Sequence, residues 1–296
     1  MLTNPYKAPF IAAPMDTISS VAMADAMYTM GGFCVTHRFN SVKEQIAILQ
    51  KIKHREARWA AIGLKDGVER ITSILNEVDI HGVCLDVAHG HHEDVIRFTS
   101  ELKKLLSSKR HHLMVGNVAT KKGFADLQSA GADSIRVGIG SGSICSTRLM
   151  TGFGVPQLSA VMDCAKVKHS ALLIADGGIK KPADVVKSLA AGADFVMAGG
   201  IFAGTEECPI KGVYRGMASK DAMSQLGRKV APEGVTFEVP ERGSVKDVLF
   251  DYIGGLKSAL SYAGANNISE FQRYSKFIRT TNSGILESQT TNFNII

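Results

Sequence analysis

The sequence predicts an α/β fold built from eight strand-plus-helix units. Short apolar, β-rich runs recur along the whole chain, most of them ending in glycine or a polar residue, and the stretches between them repeat their apolar residues at helical spacing. The strand runs fall at residues 10–13, 33–36, 60–63, 82–86, 113–117, 134–137, 172–175 and 195–198. Amphipathic stretches at 21–30, 42–51, 68–78, 93–106 and 183–191 supply helices between them. Such alternation suits a closed (β/α)8 barrel and also an open doubly wound sheet, with the barrel the better fit. Barrels meet their ligands at the C-terminal ends of the strands, and Asp86, Asn117, the loop at 138–148 and Asp176 each follow an apolar run by at most a few residues. A lone polar residue at a strand end is commonly a helix cap. Four strands delivering functional groups to one rim favour a shared pocket.

With 296 residues the chain could hold one large domain or two ordinary ones. Its 45% hydrophobic and 21% charged residues are those of a soluble globular protein. No apolar run approaches a membrane span and the first residues lack a secretory pattern, so a cytoplasmic location with no membrane partner is expected. Cys34, Cys84, Cys145, Cys164 and Cys208 are odd in number, scattered and never in a CxxC pair, which argues against a disulfide framework or structural zinc. A net charge of +6 and a pI of about 9.0 suit anionic ligands. The basic residues are interleaved with acids, and 103–110 is the only dense patch, so phosphate-bearing small molecules are expected and nucleic acid is not.

Residues 138–148 place Cys145 at the tip of a glycine-rich loop directly after the run 134–137. Alternating Gly138, Gly140 and Gly142 allow backbone shapes closed to other residues, and Ser143, Ser146, Thr147 and Arg148 surround the thiol with donors and a positive charge that favour a thiolate. Cys145 is therefore the candidate nucleophile. Asp176, Gly177 and Gly178 precede a helix opening near Pro182, and Gly199 with Gly200 closes the eighth run; glycine amides and a helix N-terminus at these two places make a phosphate cradle. The loop spacing is not GxGxxG and no acidic residue closes a βαβ unit, so no dinucleotide fingerprint is present.

The 138–148 loop, the stretch Thr151-Gly152-Phe153-Gly154-Val155-Pro156-Gln157 after it, and the segments Ala13-Pro14-Met15-Asp16-Thr17, Asp86-Val87-Ala88-His89-Gly90-His91, Gly116-Asn117-Val118-Ala119-Thr120, Ala175-Asp176-Gly177-Gly178, Tyr214-Arg215-Gly216-Met217 and Pro232-Glu233-Gly234 resemble, in order, the IMP dehydrogenase/GMP reductase family. The resemblance implies a single catalytic (β/α)8 barrel over 1–296, with a short flap-like segment at about 205–240 and a C-terminal tail at about 280–296. Two departures from many relatives are expected: a start almost directly at the first strand run, without the leading segment, and no room after 33–36 for the paired regulatory domains, since a short helical segment leads to residue 60. By the same resemblance Cys145, Thr147 and Glu233 are catalytic, while Ser143, Gly178, Gly200 and Tyr214 hold the nucleotide phosphate. Asp176 binds the ribose, and Gly177, Gly199, Gly216 and Met217 complete the substrate site. Asp86 and Asn117 lie near the nicotinamide, and Gly140, Gly142 and Cys145 are candidates for potassium.

Members of the family share a thioimidate at the purine C2 and differ in what enters and leaves. Between Met223 and Pro232 the chain lacks the Arg-Tyr pair of the dehydrogenase flap and the length for it, and Cys145, Thr147 and Glu233 match the groups with which reductases shuttle protons. GMP reductase activity with NADPH is thus the expectation, with GMP and IMP as substrate and product and a homotetramer as the assembly. Gly31-Gly32 and the segment at 284–289, with Gln289 where a His is customary, are nearer to dehydrogenases, so IMP oxidation with NAD is the alternative. A purine-nucleotide-binding homologue with weak or no turnover is the third reading.

Overall fold

In the computed structural model, which describes residues 6–107, 111–217 and 235–288, eight parallel strands close into a barrel in chain order. They are β1 (Phe10–Ala12), β2 (Phe33–Thr36), β3 (Trp59–Ile62), β4 (Gly82–Asp86), β5 (His112–Val118), β6 (Ser134–Val137), β7 (Leu172–Asp176) and β8 (Phe195–Ala198). β8 returns to β1 through Phe10↔Val196 and Ala12↔Ala198, which excludes the open sheet. The helices Val21–Thr29, Val42–Lys51, Gly67–Glu77, Glu93–Ser107 and Pro182–Ala190 lie within a residue or two of their expected places. Ser20, Ser41 and Thr120 cap helix N-termini through their side chains, Ser41 with Glu44 as a reciprocal box.

Strand alternation sorts the core into two parts. Outward residues such as Phe10, Ile62, Val83, Leu113 and Ile135 pack beneath the helices. Inward residues Ile11, Phe33, Val35, Trp59, Cys84, Met114, Ile174, Phe195 and Met197 fill the barrel. β3 starts one residue earlier than expected, at Trp59, an inward residue already paired with Val35 and Gly82. Gly82 on the neighbouring strand makes room for it: a Cβ there would stand 2.5 Å from the Trp59 ring.

A repeated Gly-Ala-Asp fastens the closed end. Asp133 accepts the Leu113 N–H at 2.8 Å and the Lys103 ammonium at 2.6 Å. Asp194 does the same for the Leu173 N–H at 2.7 Å and Lys168 at 2.9 Å. Each carboxylate thus joins the start of its own strand to the strand before it, β6 to β5 and β8 to β7. The open end, where the functional groups stand, owes its shape to loops.

Of the flap-like segment, the described part contains the antiparallel pair β9 (Val213–Arg215) and β10 (Thr236–Glu238). Residues 218–234, with Glu233, lie outside the described residues, as do 289–296 with Gln289. The described tail includes a short helix, Asn282–Glu287. Among the described residues no helix is long and apolar enough to cross a membrane.

Candidate active site

The inward positions of β6 are Ser134 and Arg136, and Arg136 puts a guanidinium inside the barrel just below its rim. It fits because Gly116 is its cross-strand neighbour, where a Cβ would come within 2.5 Å of the Arg136 Cβ. Nη1 of Arg136 donates to Asp86 at 2.6 Å, and Nε and Nη2 donate to Asp176 Oδ2 at 3.0 and 2.9 Å. Asn117 Nδ2 donates to the same Asp176 oxygen at 2.9 Å and to the Gly138 carbonyl at 2.7 Å. On the far side, Arg38 Nε stands 3.3 Å from Asp86 Oδ2. The floor is thus a chain of alternating charge, Arg38, Asp86, Arg136, Asp176. Burial alone would raise the Asp86 carboxyl, but the charges and hydrogen bonds of Arg136 and Arg38 outweigh it and hold it below its ordinary value.

Above this floor opens a pocket of about 240 Å3. Asp176 with Gly177 and Gly178, Gly199 with Gly200, the loop residues Gly142, Ser143, Cys145 and Thr147, and the hairpin residues Tyr214, Gly216 and Met217 all line it. Met15, Ala13, Ala88, Ile144, Ile179 and Ala198 complete the wall. A wider hollow of about 480 Å3, bounded by Glu77, Asp79 and His111, lies at the opposite end of the barrel and holds none of these groups.

Cys145 is the exposed thiol of the five, and its Sγ lies 3.1 Å from the Thr147 hydroxyl. Burial pushes the thiols of Cys84 and Cys164 up to about 12, and that of Cys34 up as well. Cys208 is buried too, so accessibility singles out the thiol on the loop. Arg148 turns away from the thiol: its Nη2 donates to the Val155 carbonyl at 2.7 Å, and its side chain covers Gly140 and Gly154. Its charge closes the turn behind the loop.

The glycine end of the pocket suits an anion. Gly177 and Gly178 have φ of +91° and +79°, and a Cβ on Gly177 would meet Ser141 Oγ at 2.7 Å. At Gly200 a Cβ would stand 3.0 Å from Ser143 Oγ and 3.4 Å from the Tyr214 ring, so these elements close together because no side chain intervenes. The amides of Gly178 and Gly200 donate to no group among the described residues. Burial raises the Tyr214 phenol, its hydrogen bond with Ser143 opposing and the nearby Asp176 charge adding, so the hydroxyl keeps its proton as a donor.

Asp86 and Asn117 stand beneath the pocket, outside its lining, with the polar atoms just described engaged. Asn117 Oδ1 has no partner among the described residues and can accept an amide N–H. Gly140 also lies outside the lining, against Arg148. The carbonyl of Gly142 accepts the Cys145 N–H at 3.1 Å. Among the described residues no three His, Cys, Asp or Glu side chains group for a metal.

Sequence reasoning missed Arg136, which lay inside a run read as apolar. An arginine at an inward position opposite a glycine was the available signal. It also missed Arg38 and the pair Asp16 with Arg215.

The family described as the IMP dehydrogenase / GMP reductase domain matches residues 4–291. The chain is 39% identical over 295 residues to GMP reductase 1 of Mus musculus, covering 92% of this chain and 84% of that one. With GMP reductase of Onchocerca volvulus it shares 35% over 296 residues, 92% and 80% of the two chains. With inosine-5'-monophosphate dehydrogenase of Chlorobaculum parvum it shares 40% over 254 residues, 77% of this chain and 51% of that one, so the chain spans about half the length of such dehydrogenases. By its match along nearly the whole length, the chain belongs to the IMP dehydrogenase/GMP reductase family.

Proposed function

We propose that the protein is a purine nucleotide oxidoreductase acting as a GMP reductase: GMP, NADPH and two protons give IMP, ammonium and NADP+. The observation that carries this reading is the Cys145 thiol on the Thr147 hydroxyl, at the wall of a pocket with an anion-binding glycine end and a carboxylate floor. The phosphate lies against Gly178, Gly200, Ser143 and Tyr214, and Asp176 accepts from ribose hydroxyls. Sulfur attacks C2; the amino group takes a proton through Thr147 and Glu233 and leaves as ammonia. Bound reduced nicotinamide supplies a hydride to C2. As the C–S bond breaks, its electron pair returns to Cys145. Asn117 Oδ1 is the acceptor we assign to the carboxamide, with Asp86 behind it. Gly140, Gly142 and Cys145 offer carbonyls for potassium, one of which already closes a turn, and no step is routed through the ion.

The direction is supported by the short 224–231 segment without an Arg-Tyr pair. It is also supported by alignment with reductases over 92% of the chain, against 77% for the dehydrogenase of Chlorobaculum parvum. IMP oxidation with NAD is the second reading, favoured by identities that reach 43% with the dehydrogenase of Nitrosopumilus maritimus. We read the assembly as a cytoplasmic homotetramer, for which exposed Leu149, Met150 and Phe153 offer apolar surface.

The test follows nicotinamide absorbance with GMP plus NADPH and, separately, IMP plus NAD. NADPH oxidation with release of ammonia, abolished in Glu233→Gln while GMP stays bound, is the expected result. Sustained XMP formation with no GMP turnover would overturn the direction.

A further inference from the structure

Three pocket residues, Tyr214, Gly216 and Met217, come from the β9/β10 hairpin and its exit, which lie outside the barrel sheet. The strands of this hairpin pair with each other, at Thr236↔Arg215 and Glu238↔Val213, and β10 is exposed along its length. Such a ribbon has little of its own to hold it at a fixed height over the barrel.

One attachment is a buried ion pair spanning 199 residues of sequence. Arg215 leaves β9 and meets Asp16, in the loop after β1, with Nε 3.0 Å from Oδ2 and Nη2 bonded to the same oxygen. Their side chains are 9% and 14% exposed. The Asp16 N–H in turn lies 3.5 Å from Met217 Sδ. One residue back, Met15 and the Tyr214 hydroxyl converge on the space that a side chain at Gly199 would occupy, 2.7 and 2.9 Å from its Cβ position. The loop after β1, the glycines after β8 and the hairpin are therefore interlocked. A planar guanidinium fixes orientation as well as distance, and sliding the hairpin would carry Tyr214 off Ser143 and Gly200.

We propose that Asp16 and Arg215 are positioning residues whose ion pair sets the hairpin, and with it the Tyr214 hydroxyl and the Met217 wall, where a purine nucleoside monophosphate requires them. The proposal rests on the nucleotide reading of the pocket. Neither residue lines the cavity, so each acts through the hairpin.

Calorimetric titration with GMP and with IMP tests this for the wild-type chain, Arg215→Met, Arg215→Lys, Asp16→Asn and the exchanged pair Asp16→Arg with Arg215→Asp. Thermal melting and alkylation of nucleotide-free Cys145 are measured alongside. Arg215→Met should weaken both nucleotides about 10- to 100-fold, the range for losing one hydrogen bond to a charged group. Arg215→Lys, which keeps charge and loses the fork, should fall between, and the exchanged pair should recover part of the loss. Cys145 alkylation should stay unchanged, and in turnover KM should rise while kcat holds. Should Arg215→Met fail to fold, Asp16→Asn and Arg215→Lys carry the same comparison. Wild-type affinity in folded variants would overturn the proposal, as would equal losses in the Met and Lys variants. A wild-type chain that binds neither nucleotide would overturn the nucleotide reading first and this inference with it.

Discussion

Replacing Arg136 by methionine removes the cation at the centre of the floor while keeping most of its methylene bulk, so the change isolates charge from packing. Arg136 makes a 2.6 Å bond to Asp86 and bonds of 3.0 and 2.9 Å to Asp176, and both carboxylates are largely buried. At an effective dielectric near 20, each such contact is worth about 4 kcal/mol before desolvation is counted. Breaking a buried pair from one side has a measured penalty of about 3–5 kcal/mol. Arg38 still faces Asp86 and Asn117 still donates to Asp176, which places the expected loss near the lower end, about 3 kcal/mol.

The pH dependence gives the prediction its sign. In the wild type Asp86 is held below its ordinary value, so its stabilisation is fully present above about pH 4 and is lost as pH falls through the folded-state value. In Arg136→Met burial is no longer outweighed, the folded-state value rises above the unfolded one, and the carboxyl favours folding only when protonated. Its contribution is then present at low pH and lost as pH rises. Urea unfolding at pH 7 and pH 5 should show the variant's deficit largest at pH 7 and smaller at pH 5. A deficit under about 1 kcal/mol, within the range of a surface pair, or one that grows on acidification would refute the account of the floor.

Cys145→Ala should bind GMP and IMP as the parent does and lose turnover by orders of magnitude, since the covalent step is gone. In the parent, Cys145 should be the first thiol alkylated and nucleotide should protect it; labelling spread over buried Cys34, Cys84 and Cys164 would count against the assignment. Gly200→Ala places a methyl 3.0 Å from Ser143 Oγ and 3.4 Å from the Tyr214 ring, and GMP affinity should fall about tenfold, or 1.4 kcal/mol, with little change in melting. Undiminished affinity would remove the glycine end as the phosphate site.

The barrel and the Cys145 loop were legible because their signals are local. Apolar runs at regular intervals mark strands, and glycines crowd the sequence where backbone must come close, as at Gly177, Gly178 and Gly200. Alternation favoured the closed barrel without excluding the open sheet, because closure rests on pairing between β8 and β1, distant in sequence. Arg136 stayed hidden for a related reason. One arginine in Ser134-Ile135-Arg136-Val137 reads as a tolerated polar residue until closure turns it inward and Gly116 stands beside it. Arg148 shows the converse: nearness in sequence to Cys145 suggested an electrostatic role, and the backbone directs its charge to Val155. Charged side chains are long, and their targets follow from three-dimensional paths that spacing along the chain does not encode.

Proton stoichiometry connects the Cys145 contact to the direction of reaction. On the proposed reading both reactions pass through the same C2–S adduct, so the floor, the glycine end and the thiol would serve either one. They separate in what must be done with protons. When a thiol displaces the amino group of GMP, it gives up one proton and the departing amine gains one. Thr147, 3.1 Å from the Cys145 sulfur, can pass that proton on because a hydroxyl both accepts and donates, with Glu233 proposed as the next group in the relay. Oxidation of IMP ends instead in hydrolysis of the adduct, which needs a base to activate water. The 224–231 stretch offers only Arg228 and Lys229 as ionisable side chains and no Arg-Tyr pair. A relay that returns the nucleophile's own proton to the leaving group asks less of this short segment, and that difference is the physical ground for reading the enzyme as a reductase.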